Sequence, residues 1–178
     1  MADNLQALWR QLGIPAQYAR RAARRIQPEA KRLVCIGRAE DDGRMLRLTP
    51  ATARAWRKMQ AAAAAEDMTL LPLSAFRSVA RQAAIIRRKL AGGQRIEQIL
   101  RVSAVPGCSE HHTGRALDLG APGHLELEAT FARTREFRWL KRHAASFGFY
   151  LSYTRNNPQG ISYEPWHWCF RPAQNTRP

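Results

Sequence analysis

Apolar residues recur at helical spacing at Leu5, Leu8, Trp9 and Leu12, and Gly13 followed by Pro15 ends that segment and permits a second helix. The period then changes. Leu33 to Ile36 reads as a strand, Asp42-Gly43 as a turn, and Met45, Leu46 and Leu48 as a second strand, together a hairpin. Thr49-Pro50 couples an N-cap residue to a proline at the first helical position, which predicts a helix through the alanine-rich run to Ala65. Met68 to Leu73 is short and apolar, as a buried strand would be, and delivers the chain to Ser74-Ala75-Phe76-Arg77-Ser78. A helix through Gln82, Ile85, Ile86 and Leu90 should stop at Gly92-Gly93, and a short one from Ile96 to Leu100 leads into the loop Val105-Pro106-Gly107. Beyond it the pattern predicts a strand from Arg115 to Leu119 and a helix from Glu136 to Phe147 capped by Gly148. Strands from Phe149 to Tyr153 and from Trp166 to Phe170 complete it. There is no βαβ alternation and no internal repeat, so the expected class is α+β, with a mostly antiparallel sheet flanked by helices.

At 178 residues and 45% hydrophobic content the chain can bury one good core, and a single domain over residues 1–178 is expected, with residues 1–30 as a helical appendage. No apolar stretch approaches the roughly 20 residues of a membrane span. The start, Met1 to Arg10, has neither a basic n-region nor an apolar h-region, so the chain as given reads as soluble and cytoplasmic. Action at the cell envelope would fit a mature form, and the compartment stays open.

The balance of 29 Lys and Arg against 14 Asp and Glu gives +15, a field that draws polyanions and anionic surfaces such as cell-envelope polymers. The basic residues are scattered over several helical segments (Arg20, Arg21, Arg24, Arg25; Arg87, Arg88, Lys89; Arg133, Arg135, Arg138, Lys141, Arg142). Solvated helix faces explain that distribution better than a nucleic-acid site does. Cys35, Cys108 and Cys169 make neither a disulfide framework nor a CxxC zinc pattern.

The candidate chemistry lies in Ser109-Glu110-His111-His112-Thr113-Gly114-Arg115-Ala116-Leu117-Asp118 and, 46 residues further on, Glu164-Pro165-Trp166-His167. Two imidazoles and a carboxylate can hold one zinc ion and leave a position open, and a second carboxylate can serve as base. On a strand, Asp118 shares its face with Ala116 while Leu117 and Leu119 face the core. Pro165 argues against a helical ExxH arrangement, so the chain must bend there if Glu164 and His167 are to reach one site. Singly, each of these residues has an ordinary structural reading.

The set Ser109-x-His111-x-x-Gly114-x-Ala116-x-Asp118 with Glu164-x-x-His167 resembles the signature of the zinc D-alanyl-D-alanine carboxypeptidases of the VanY type. That group also includes D-Ala-D-Ala dipeptidases, L-alanyl-D-glutamate endopeptidases and hedgehog domains. The similarity extends through Ser74-Ala75-Phe76-Arg77-Ser78, Gln82, Pro106-Gly107, Phe147-Gly148-Phe149 and Ser152-Tyr153, so residues 68–171 form the expected catalytic core. The resemblance implies His111, Asp118 and His167 as ligands of one Zn2+ ion, Glu164 as general base and Arg77 as stabiliser of the oxyanion. It selects His111 over His112, leaving His112, His124 and His143 structural, and it offers Ser78, Gln82 and Ser109 as substrate-binding candidates. The implied activity is hydrolysis of the terminal D-Ala-D-Ala bond of peptidoglycan stem peptides or precursors. A dipeptidase, a lysin-type endopeptidase and a hedgehog-like zinc-binding domain are the alternatives. Cys108 and Cys169 depart from the family pattern, and because each lies within three residues of an implied ligand, a disulfide between them is a further expectation.

Overall fold

Antiparallel pairing dominates the computed structural model, which describes residues 2–23 and 25–171; Met1, Arg24 of the basic run and residues 172–178 lie outside the described residues. Helices α1 (Ala2–Gln11) and α2 (Ala16–Ala23) open the chain, followed by the hairpin β1 (Val34–Arg38) and β2 (Met45–Leu48), whose register shifts between Cys35 and Gly37. Helix α3 (Pro50–Ala64) starts at the Thr49 cap, whose side chain accepts from the Thr52 backbone N–H. Strand β3 (Leu71–Ser74) leads to α4 (Val79–Ala91), then α5 (Ile96–Ile99), β4 (Ala116–Gly120), α6 (Arg135–His143), β5 (Phe149–Leu151) and β6 (His167–Phe170). The second sheet has the order β3-β4-β6-β5, all neighbours antiparallel, which is the α+β architecture expected.

Three expectations shift. The strand expected from Met68 to Leu73 begins only at Leu71, because Met68 still closes the end of α3 through its N–H to the Ala63 carbonyl. The helix expected to reach Phe147 stops at His143 and tightens into a 3-10 turn, Ala144–Phe147, before Gly148. Finally, Cys35, Cys108 and Cys169 are all free, so the expected Cys108 to Cys169 disulfide is not formed. The Cys108 thiol donates to the Ala22 carbonyl at 3.3 Å and packs with the N-terminal helices, while Cys169 lies in β6 opposite Ala116 and Tyr150.

Two apolar clusters support the site. In the larger, Leu117 and Leu119 of β4 and Trp168 of β6 pack with Leu48, Trp56, Met59 and Phe149. Full burial of one such side chain contributes about 1.5–3 kcal/mol, so β4, with every residue buried, is held firmly from its core face. In the other, Leu5, Trp9, Leu12 and Ile14 pack against Ala83 and Ile86 of α4 and Ile99 of α5. The Trp9 indole N–H donates to the Pro106 carbonyl at 2.8 Å, which ties the first helix to the loop preceding Ser109. Among the described residues, no helix is long and apolar enough to cross a membrane.

Candidate metal centre and active site

Strand alternation aims Asp118 away from the leucine face of β4, and the ladder sets it directly opposite His167 on β6 and Ser74 on β3. His111 arrives from outside the sheet, on the 3-10 turn Glu110–Thr113. Ser109 caps that turn, and Gly114 ends it at φ 63°. A Cβ at Gly114 would stand 2.8 Å from the Leu33 side chain in a conformation L residues rarely adopt, so the turn from His111 into β4 requires glycine. The Arg77 N–H bonds to the His111 carbonyl at 3.2 Å, fixing the segment after β3 beside the same turn.

The bend at Pro165 is a β-turn. The His167 N–H donates to the Glu164 carbonyl at 3.1 Å, with proline at the second position, where its fixed φ is favourable. Reversing the chain there sends Glu164 and His167 into one cavity of about 360 Å³, which Arg77, Asp118 and His111 also line.

The ligand atoms of His111, Asp118 and His167 lie within 4.8 Å of one another, and all three residues are buried. The His111 Nδ1–H donates to the Ala75 carbonyl at 2.6 Å, which leaves Nε2 facing Asp118 Oδ2 at 3.1 Å. His167 Nε2–H donates to Glu110 at 2.9 Å, and Nδ1 stands 2.9 Å from Asp118 Oδ1. Each imidazole thus has one nitrogen held by an acceptor and the other turned to a shared carboxylate, a two-histidine, one-carboxylate donor set that fits zinc.

Burial penalises charge throughout the cavity, and local partners decide which groups resist it. Burial brings the pKa of His111 down to about 4 despite the pull of Asp118. For His167 burial acts in the same direction, but its bonds to Asp118 and Glu110 prevail and raise the pKa to about 10. Burial would raise Glu110, yet the hydrogen bond and charge of His167 hold it at about 2, and the two imidazoles likewise hold Asp118 below the usual carboxylate range. Glu164 makes no such bond. Its pKa is pushed up to about 7, chiefly by burial, with His167 opposing and the Asp118 charge assisting. Burial also lowers the pKa of Arg77, against the charges of Asp118 and Glu164.

Of the residues singled out in the sequence, His111, Asp118, His167, Glu164, Arg77, Gln82 and Ser109 all line this cavity. Ser78 does not. Its hydroxyl caps α4 by accepting from the Arg81 N–H at 3.1 Å. His112 is fully buried behind the site, donating from Nδ1 to the Arg77 carbonyl and accepting at Nε2 from the Gly107 N–H. His143 stacks on Trp139, and His124 bridges to Ala121. Sequence reasoning missed Glu110, Tyr153 and Lys89. Tyr153 lays its ring 4.6 Å from that of His167 and walls the cavity; Glu110 adjoins His111 in sequence but serves the other histidine, 57 residues away.

Residues 45–173 match the family described as VanY, D-alanyl-D-alanine carboxypeptidase. The chain belongs to this family. A Bacillus subtilis relative, YodJ, named as a carboxypeptidase, is 33% identical over 120 residues, covering 65% of this chain and 43% of its own length. Among solved structures, the LdcB LD-carboxypeptidase superposes with a TM-score of 0.71 at 28% identity, covering 80% of this chain and 69% of that one. The vancomycin resistance D,D-pentapeptidase VanY in complex with Zn(II) superposes at 0.60 and 27% identity, covering 88% and 82%. The same scores relate the chain to VanYB in complex with D-alanine-D-alanine, with 80% of that chain covered. The family thus shares this mixed fold with antiparallel sheet, and the present chain spans less than half the length of YodJ.

Proposed function

We propose that this chain is a zinc-dependent D,D-carboxypeptidase that hydrolyses the terminal D-Ala-D-Ala bond of peptidoglycan stem peptides. The carrying observation is that a His-Asp-His donor set, a carboxylate of raised pKa and a largely buried guanidinium meet in one cavity. The Zn(II) and D-alanine-D-alanine complexes of the VanY neighbours support the metal and the substrate class.

His111 through Nε2, Asp118, and His167 through Nδ1 would hold the ion. Bound there, zinc would supply a Lewis acid able to polarise the scissile carbonyl and to make a water acidic near neutral pH. Glu164 takes the proton of the attacking water on its carboxylate and passes it to the leaving amine, the two-way transfer a positioned carboxylate can perform. Arg77 is a permanent cation with a planar fork of donors, and it stabilises the negative charge that develops on the carbonyl oxygen. Glu110 acts through His167, fixing the ring so that Nδ1 points to the metal position. Gln82 and Ser109 contact the peptide, and Ser78 contributes only through the α4 cap.

The test uses zinc-loaded protein with a UDP-linked muramyl pentapeptide, the free D-Ala-D-Ala dipeptide and intact sacculi. One equivalent of free D-alanine from the pentapeptide is expected. Cleavage confined to the free dipeptide or to sacculi would replace the assignment with the dipeptidase or the endopeptidase. The LdcB likeness favours a second reading, in which the chain prefers a penultimate L residue. Faster release of D-alanine from the tetrapeptide than from the pentapeptide would select it.

A further inference from the structure

Helix α4 presents Gln82, Ile85 and Lys89 to the active-site cavity, positions that fall on one helix face. Gln82 and Lys89 are seven residues apart, about 10 Å along the axis, so α4 forms a wall leading away from the metal donors. Opposite it runs the segment 102–104, held by two contacts: Gln82 Nε2 donates to the Ala104 carbonyl at 2.7 Å, and Lys89 Nζ donates to Ser103 Oγ at 3.1 Å.

Lys89 is the anomaly of this wall. It is half-buried, its one polar contact is a neutral hydroxyl, and no carboxylate lies within ion-pair distance of it among the described residues. Burial and the charges of Arg77 and Arg88 lower its pKa, so an ammonium is held where it is partly desolvated and repelled. An anionic ligand would relieve both penalties. Arg77 cannot serve the same purpose, because the developing oxyanion needs it. A single residue beyond a cleaved bond spans about 3.5 Å, and side chains on a helix lean toward its N-terminus, which brings the lysine head back toward the Arg77 end of the wall.

We propose that Lys89 is a specificity-determining residue that receives the free C-terminal carboxylate of the substrate at the far end of the α4 wall. The inference rests on the peptidase reading above and adds to it the reason why the enzyme would remove a terminal residue and leave internal bonds intact. Ser103 holds the ammonium in place until the carboxylate arrives.

The test compares zinc-loaded wild type, Lys89→Met and Lys89→Arg on the same acyl-D-Ala-D-Ala peptide with a free carboxylate and as its C-terminal amide. Wild type should prefer the acid by on the order of tenfold to a hundredfold in kcat/KM, as expected for one charge-assisted hydrogen bond. Lys89→Met should bring the acid down to the level of the amide, mainly through KM, and Lys89→Arg should restore most of the preference. If Lys89 merely pins the 102–104 segment, Lys89→Met will slow acid and amide alike, Ser103→Ala will do the same, and the proposal falls while the peptidase stands. Equal cleavage of acid and amide by wild type also overturns it. Cleavage of neither peptide by wild type would overturn the peptidase reading itself and this inference with it.

Discussion

Around Asp118 every side-chain polar atom of the donor set has a partner, whereas Arg77 Nε and Gln82 Oε1, at the foot of α4, are buried without one among the described residues. The first region is rigid by construction. It hangs on the central strand of the sheet, with leucines on one face and interlocked imidazoles on the other. The second is assembled from a helix and a loop, and it leaves one donor, Arg77 Nε, and one acceptor, Gln82 Oε1, unpaired in residues that line the cavity. Buried polar groups are normally satisfied, so the contrast marks the α4 side as the less complete part of the cavity. Charge follows the same division: carboxylates surround the donor set, and the cations Arg77 and Lys89 line the α4 side of the cavity.

The sharpest way to break the contrast is to remove a donor from the finished region. His111→Ala and Asp118→Ala should each abolish stoichiometric zinc binding and reduce hydrolysis to background, measured by metal analysis and D-alanine release in parallel. Zinc retained at full stoichiometry would show that the buried triad is structural. The next effect separates chemistry from binding: Glu164→Gln should keep zinc and substrate affinity while lowering kcat by about 10²–10⁴. Unchanged turnover would remove Glu164 from the mechanism.

Glu110 tests whether completeness of the donor set extends beyond the ligands. Glu110→Gln keeps the shape but cannot accept from His167 Nε2–H with a carboxylate, and about a 10–100-fold loss of zinc affinity is expected in competition with a chelator. Equal affinity would show that Glu110 plays no part in holding the metal.

Legibility from sequence divides along the same line. The donor set was legible through the family resemblance its motifs carry, and the structure shows the local geometry behind their spacing: a capped turn, a glycine of positive φ, alternation along β4 and a proline turn before β6. The hairpin, α3 and α4 were legible for similar reasons, since caps and glycines punctuate them. The rest depended on contacts between distant segments. Nothing in the neighbourhood of Glu110 indicates that it bonds a histidine 57 residues away, and Lys89 looks like one more cation in the run Arg87-Arg88-Lys89 until the cavity shows which of the three faces inward. Ser78 was singled out by its place in a matching motif, and the structure adds that its hydroxyl caps α4. The disulfide expectation failed because nearness to the ligands in sequence does not bring two thiols together: Cys108 packs with the N-terminal cluster and Cys169 lies in the sheet.

Glu164 lies at the border of the two regions, and its stability effect is the smallest and most discriminating. Its pKa is about 7 in the folded protein against an ordinary value of 4.5. Below pH 4.5 the carboxyl is protonated in folded and unfolded chains alike and costs nothing. As pH rises through 7 the folded protein must ionise a partly buried carboxylate that the unfolded chain ionises readily, so stability is lost across that window. Glu164→Gln carries no such burden. In chelator-stripped protein it should therefore match wild type near pH 4 and exceed it by about 2 kcal/mol at pH 8, an amount discounted for the open side of the cavity. Denaturant unfolding at the two pH values measures the difference. Zinc should narrow the gap, because a nearby dication favours the ionised carboxylate and lowers its pKa. A pH-independent difference would mean that Glu164 is satisfied by the folded protein as fully as Asp118 is, and the boundary between the finished and the waiting parts of the cavity would have to be moved to exclude it.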